Sequence, residues 1–186
     1  MNDLRALQKK LLEVMIIFHK ICQENDIKYY MLGGTQLGAV RHKGFIPWDD
    51  DIDVGIPRED YEKFIKISSE NLPNGIELAH YKKDKKFPYG FTKLYDTKTT
   101  LVEENNTKEG IIRGIYIDVF PLDGIGNTYK EAHKNFQKID FLRRVLYYNV
   151  AKIKTKNPIK KLANICFRFL NTYKIISKIN NKAEKY

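Results

Sequence analysis

Cysteine is scarce in this chain: Cys22 and Cys166 stand far apart, in no ligand-like spacing. That excludes a fold stapled by several disulfides and a thiolate metal cluster; a single disulfide stays open, and two buried free thiols in a reducing cytosol are expected. Long apolar runs are missing too. Val14 to Phe18 is among the longest, far short of the roughly 20 residues that span a bilayer. Met1 to Arg5 leads straight into a charged helical pattern, so no signal peptide is read and a cytoplasmic location is expected. Repeats and low-complexity tracts are absent. Acidic residues run out toward the C terminus: residues 130–186 hold 15 Lys/Arg against 3 Asp/Glu, whereas residues 1–129 hold 18 against 20. What is present is ample for a packed fold. The apolar fraction is 42% and the aromatic fraction 12% over 186 residues, enough for one globular core and against wholesale disorder. The charge asymmetry divides the chain into a catalytic core over 1–128 and a basic helical extension over 129–186.

Periodicity supplies the elements. Leu4, Leu7, Leu11, Met15, Phe18 and Cys22 recur at three and four, predicting an amphipathic helix over Asp3 to Glu24. Ile27 to Leu32 is a short β-like run, broken by Gly33-Gly34-Thr35, where a short helix begins. Lys43 to Trp48 reads as a loop by its Gly and Pro. Strands are predicted over Asp51 to Ile56, Ile76 to Tyr81, Phe91 to Tyr95 and Ile115 to Phe120, the last closed by Pro121. Gly110 and Gly114 flank a turn into that last strand. Helical spacing covers Arg58 to Glu70. From Tyr129 one stripe runs through Phe136, Ile139, Leu142, Leu146 and Val150. A second, after Asn157-Pro158, runs through Leu162, Cys166, Phe169, Leu170 and Tyr173. The pattern is still helical where the chain stops.

The chemistry concentrates in the acid run. Four of the five residues from Asp49 to Asp53 are aspartates, and charges this dense repel unless a cation neutralises them. On a strand, Asp51 and Asp53 share one face while Ile52 and Val54 point into a core. That makes a Mg²⁺ platform, with Mn²⁺ the alternative ion. Asp49 is the reserve ligand, and Asp50 shapes the loop. Gly33 and Gly34 let backbone N–H groups approach a phosphate closely. Asp118 stands alone on a later strand, facing the same way as Tyr116 and Phe120. Arg41 and Lys43 suit a diphosphate, as does Lys93 if its strand faces the acids. Trp48 either stacks on a base, forms part of a cage for a quaternary ammonium, or packs in the core. His42 and His133 read as surface residues. The Asp49-x-Asp51-x-Asp53 spacing also opens an EF-hand loop, but Val54 stands where that loop needs Gly.

These parts, in this order, resemble the nucleotidyltransferase superfamily. Gly34-Thr35-Gln36-Leu37-Gly38-Ala39-Val40-Arg41 and Phe45-Ile46-Pro47-Trp48-Asp49-Asp50-Asp51-Ile52-Asp53-Val54 resemble the LicD family of phosphocholine transferases, which includes the fukutin-related proteins. Arg58-Glu59-Asp60-Tyr61-Glu62 and Gly114 to Gly124 continue the match, which covers roughly residues 3–126. The resemblance implies an α/β fold, a nucleotidyltransferase-like mixed sheet flanked by helices. It also implies Mg²⁺-dependent transfer of phosphocholine, or a related phospho-alcohol, from CDP-choline or another CDP-alcohol. The acceptor would be a hydroxyl of a cell-surface glycan or glycolipid such as lipopolysaccharide, teichoic acid or capsule. Asp51, Asp53 and Asp118 would hold the metal, Asp118 could take the acceptor's proton, and Gly33, Gly34, Thr35, Arg41, Lys43, Trp48 and Lys93 would bind the donor. Members of the family usually run longer, with further acceptor-side motifs after the helical region, so this sequence is read either as a piece of a longer chain or as a minimal member.

Two alternatives stay open. One is nucleotidyl transfer from an NTP, distinguished by release of pyrophosphate instead of CMP. The other is a non-enzymatic basic binder of nucleic acid or membrane, whose binding would depend on salt and survive loss of Asp51 and Asp53. No aromatic–basic RNP-like strand favours nucleic acid. The basic extension suits either docking on an anionic membrane, at its inner face, or packing as a helical layer with solvated lysines.

Overall fold

The computed structural model describes residues 2–101, 114–151 and 156–185; Gly110, expected to flank a turn, lies outside them. In chain order the elements are α1 (Asn2–Glu24), β1 (Tyr30–Met31), α2 (Gly33–His42), β2 (Asp53–Pro57), α3 (Arg58–Glu70), β3 (Ile76–Ala79), β4 (Thr92–Asp96), β5 (Ile115–Leu122), α4 (Tyr129–Val150), α5 (Pro158–Phe167) and α6 (Thr172–Ala183). The fold is mixed α/β, as the patterning predicts. Its described residues divide into two compact units, 2–79 with 91–101 and 114–122, and 80–90 with 123–151 and 156–185.

The first unit holds a five-stranded mixed sheet in the order β1-β2-β5-β4-β3. Only β2 and β5 run parallel; the other neighbouring pairs are antiparallel. Strand alternation sends Val54, Ile56, Leu78, Leu94, Ile117 and Val119 to one face, where all are buried. Leu11, Val14, Met15 and Phe18 of α1, with Tyr61 and Phe64 of α3, close that core. Each fully buried aliphatic side chain contributes roughly 1.5–3 kcal/mol, before the conformational entropy that folding costs. The opposite face carries Asp53, Lys93, Tyr116 and Asp118.

Several expectations need correction. The strand predicted over Asp51 to Ile56 begins at Asp53, which leaves Asp51 in the approaching loop. Pro121 does not close β5, which continues to Leu122. The N–H of Asp118 donates to Ile52 O on the β2 side, so the position of Pro121 would aim its N–H toward β4. The β4 ladder ends there, at Thr92 opposite Val119, and no ladder bond is lost. Cys22 is a buried free thiol, but Cys166 is exposed.

In the second unit Asn157 caps α5, accepting from the N–H groups of Ile159 and Lys160. Asn171 caps α6 in the same way, accepting from Lys174. The helix predicted through Tyr173 is therefore two helices. α6 closes at Ala183 with Glu184 as its C-cap, before the chain stops. Ile175 and Ile179 pack with Val145 of α4, and Ile139, Leu142 and Leu146 lie against them. Phe136, from the same predicted stripe, is exposed. α5 buries no residue. Its Ile159, Leu162 and Ile165, and Phe169 just beyond it, are exposed, so packing as a buried layer fails for this helix and holds for α6.

Candidate active site

Sheet register assembles the centre. Asp53 on β2 is the direct partner of Asp118 on β5, and Asp118 that of Lys93 on β4. Three adjacent strands thus place acid, acid and lysine in one row on the face away from the core. Lys93 is buried, and its Nζ lies 3.0 Å from Asp118 Oδ1. The same ammonium sits 3.3 Å from the centroid of Tyr116, over the ring, where the π-face adds attraction.

Asp53 is fixed through its backbone as well. Its N–H donates to Thr35 Oγ1 at 2.9 Å, and its carbonyl accepts from the N–H of Leu32 at 3.0 Å. Thr35, predicted to bind donor, thus spends a lone pair positioning Asp53. The two glycines act differently. Gly33 has φ +51°, a conformation that side chains resist. Gly34 supplies room, since a Cβ there would stand 2.7 Å from Asp49 Oδ2. Together they open α2 beside the acids with no side chain capping its N terminus, leaving backbone donors for an anion.

The loop before β2 makes a turn in which the N–H of Asp49 donates to Ile46 O at 3.0 Å. Pro47 and Trp48 are its central residues, and Pro suits the second position of such a turn. Trp48 is consequently 76% exposed, which removes core packing from its possible roles. Among the described residues, the carboxylates that each offer an oxygen within 4.8 Å of the others are Asp49, Asp50 and Asp51. Asp53 and Asp118 stand instead in the strand row. Arg41 and Lys43 are exposed near the end of α2, with Lys43 in the left-handed conformation that ends the helix. His42 and His133 are exposed. Asp60, which the EF-hand spacing from Asp49 would make the last ligand of that loop, instead sits in α3 and accepts from the N–H of Lys28, so the acid run does not fold as an EF-hand.

Burial, and after it charge crowding, raises these carboxyls. Burial first, then the Asp53 and Asp51 charges, push the Asp118 carboxyl up to about 6 against the opposing Lys93. Asp51 is raised by burial and by Asp53, Asp49 and Asp50. Asp53 is raised by burial and Asp49, with Lys93 opposing. Hard carboxylate oxygens that repel one another are the donor set a Mg²⁺ or Mn²⁺ ion relieves, so the residues present fit such an ion.

One residue escaped the sequence reading. Gln8 of α1 is buried and donates to the carbonyls of Ile46 and Asp49. A signal existed: a glutamine three residues before Leu11 lies on the apolar stripe of its helix.

A family model described as LicD/FKTN/FKRP, nucleotidyltransferase domain, matches residues 26–156. The chain is 32% identical over 142 residues to the lipopolysaccharide cholinephosphotransferase LicD of Haemophilus influenzae, covering 73% of this chain and 50% of that protein. It is 45% identical over 40 residues to the human ribitol 5-phosphate transferase FKRP, 22% of this chain and 8% of that protein. It is 28% identical over 78 residues to the mouse ribitol-5-phosphate transferase FKTN, 42% of this chain and 16% of that protein. The chain therefore spans half or less of the length of these relatives.

Proposed function

The chain belongs to the LicD/FKTN/FKRP nucleotidyltransferase-domain family, and from that premise we propose that it transfers a phospho-alcohol, phosphocholine or ribitol phosphate, from a CDP-linked donor to a glycan hydroxyl. The observation that carries this reading is the row Asp53–Asp118–Lys93 on three neighbouring strands, beside the uncapped N terminus of α2. Asp51, Asp53 and Asp118 would hold Mg²⁺, with Asp49 in reserve. A bound divalent ion supplies charge neutralisation at the donor diphosphate and at the departing phosphate.

The chain's own groups do the rest. The first N–H groups of α2 and the exposed Arg41 and Lys43 orient the diphosphate. Trp48 offers an exposed aromatic face to cytosine or to a choline cation. The acceptor oxygen attacks the phosphorus bearing the alcohol, its proton passes to an Asp118 oxygen, and the bond to the CMP oxygen breaks. Without an ion, burial pushes that carboxyl up to about 6; a bound ion would draw it down again, so it would be ionised at neutral pH and able to accept the proton. Lys93 keeps that carboxylate charged and aimed.

The acceptor side calls for a surface. No helix among the described residues is long and apolar enough to cross a membrane. The outward Ile159, Leu162, Ile165 and Phe169, flanked by Lys160 and Lys161, support docking on an anionic leaflet from the cytoplasmic side, where a lipid-linked glycan would be presented.

Calorimetric titration of CDP-choline, CDP-ribitol and CTP with Mg²⁺, into wild type and Asp53→Asn, tests the reading. Saturable binding of a CDP-alcohol that needs both metal and Asp53 is expected. Metal-dependent binding of CTP alone, with pyrophosphate released, would replace it with nucleotidyl transfer.

A further inference from the structure

Gln8 is 2% exposed on a helix face otherwise devoted to the core. Burying an amide there is costly unless every polar group finds a partner. Here each does. Nε2 donates to Asp49 O at 2.8 Å and to Ile46 O at 3.3 Å, while Oε1 accepts from Arg5 Nη1 at 2.7 Å. The orientation of the amide is set by chemistry, since two carbonyls can only accept and a guanidinium can only donate.

The two carbonyls are the first and last of the Ile46-Pro47-Trp48-Asp49 turn. Ile46 O already accepts the N–H of Asp49, and Pro47 has no N–H to offer. The turn's own closure is thus a single bond, and Gln8 adds one at each end of it. The loop also leans on α2. A Cβ at Gly38 would stand 2.6 Å from Gly44 O and 2.9 Å from Ile46 N, and one at Gly34 would meet the Asp49 carboxylate. α1 and α2 therefore both hold the loop, from which the Trp48 side chain projects into solvent.

We infer that Gln8 is a positioning residue for the cation-binding loop: by clamping both ends of the Ile46–Asp49 turn it fixes where Asp49, Asp50 and Asp51 present their oxygens. It touches neither ion nor substrate. This rests on the metal reading proposed above. Residues that orient ligands from behind typically change metal affinity by about 10- to 100-fold when lost, and the same is expected here.

Trp48 is the single tryptophan and stands in the clamped turn, so its emission reports on this loop alone. Wild type, Gln8→Met, Gln8→Glu and Asp53→Asn would be titrated with Mn²⁺ by Trp48 quenching. The anisotropy of Trp48 would be read in the metal-free proteins. Methionine keeps the volume and removes both donors; glutamate keeps the shape and turns an acceptor toward two carbonyls. Both should lower the anisotropy and raise the Mn²⁺ Kd about tenfold or more, with the helical circular dichroism unchanged. Arg5→Met, at the exposed end of the chain of bonds, should raise it about two- to threefold without emptying the core, and it carries the test if Gln8→Met fails to fold. Asp53-dependent Mn²⁺ binding with a Kd within twofold of wild type in the Gln8 variants would overturn the inference while leaving the metal reading standing. A wild-type chain that takes no Mn²⁺ would overturn both, and the anisotropy would then show a clamp on the turn alone.

Discussion

Lys93 and Asp118 are direct partners across β4 and β5, and the ammonium lies 3.0 Å from a carboxylate oxygen. Burying either charge without the other would be costly, so the two side chains depend on each other. Lys93, a candidate for the donor phosphates by its strand position, is engaged in this structure with Asp118 and the Tyr116 ring.

Removing one member should therefore hurt more than removing both. Lys93→Met leaves a buried carboxylate without its cation and is expected to cost about 3 kcal/mol of unfolding free energy at pH 8. Adding Asp118→Asn should recover most of it. A urea double-mutant cycle measures the difference, and a double variant as unstable as Lys93→Met would contradict the coupling.

The raised Asp118 carboxyl has a sign that can be checked. Its folded value is about 6 against an ordinary 3.8, so the folded state favours the protonated form. The associated stability is complete below pH 3.8 and is lost as pH rises through 6. Metal-free wild type should lose about 1 kcal/mol relative to Asp118→Asn between pH 5 and pH 7. Saturating Mg²⁺ should abolish the difference, because it stabilises the ionised form. Urea melts of both proteins at the two pH values, with and without metal, decide it.

Gly34 and Gly38 lie one turn apart on α2 and should respond differently to alanine. At Gly34 the new methyl meets the movable Asp49 carboxylate; at Gly38 it meets the backbone of Gly44 and Ile46. Gly38→Ala is expected to cost about 1–3 kcal/mol by overpacking. Gly34→Ala should change stability by less than about 1 kcal/mol, since alanine is the better helix former, yet weaken Mn²⁺ binding. Equal melting temperatures for the two variants would count against this geometry.

On α5, Leu162→Glu should leave stability within about 0.5 kcal/mol of wild type, as exposed positions do. It should nonetheless reduce sedimentation with phosphatidylserine vesicles. Binding to neutral vesicles that equals binding to anionic ones would remove the electrostatic part of the docking proposal.

Much of the fold was legible because it is local. The stripe on α1, the alternation on β5, and the glycine and proline breaks are read within a few residues of themselves, as are the family's motifs. Boundaries were harder. Pro121 looks like a stop from sequence, and only the early end of β4 shows that its missing N–H costs nothing. Leu162 and Phe169 look like core from spacing alone, but periodicity says that a face is apolar without saying what covers it. Asp51, Asp53 and Asp118 could be chosen as candidates from residue type and order. The alignment of Asp53 and Asp118 with Lys93 comes from the parallel register of β2 with β5 and the antiparallel register of β5 with β4, pairings that join Asp53 to Asp118 and Asp118 to Lys93 across long stretches of chain. Sequence alone determined which side chains carry charge and which face of each element is apolar, since those follow from residue identity and backbone period. The tertiary structure alone decided which charges meet, that Gln8 reaches the Asp49 loop, and that a lysine is spent on an aspartate, because such contacts depend on strand order and register rather than on neighbours in the chain.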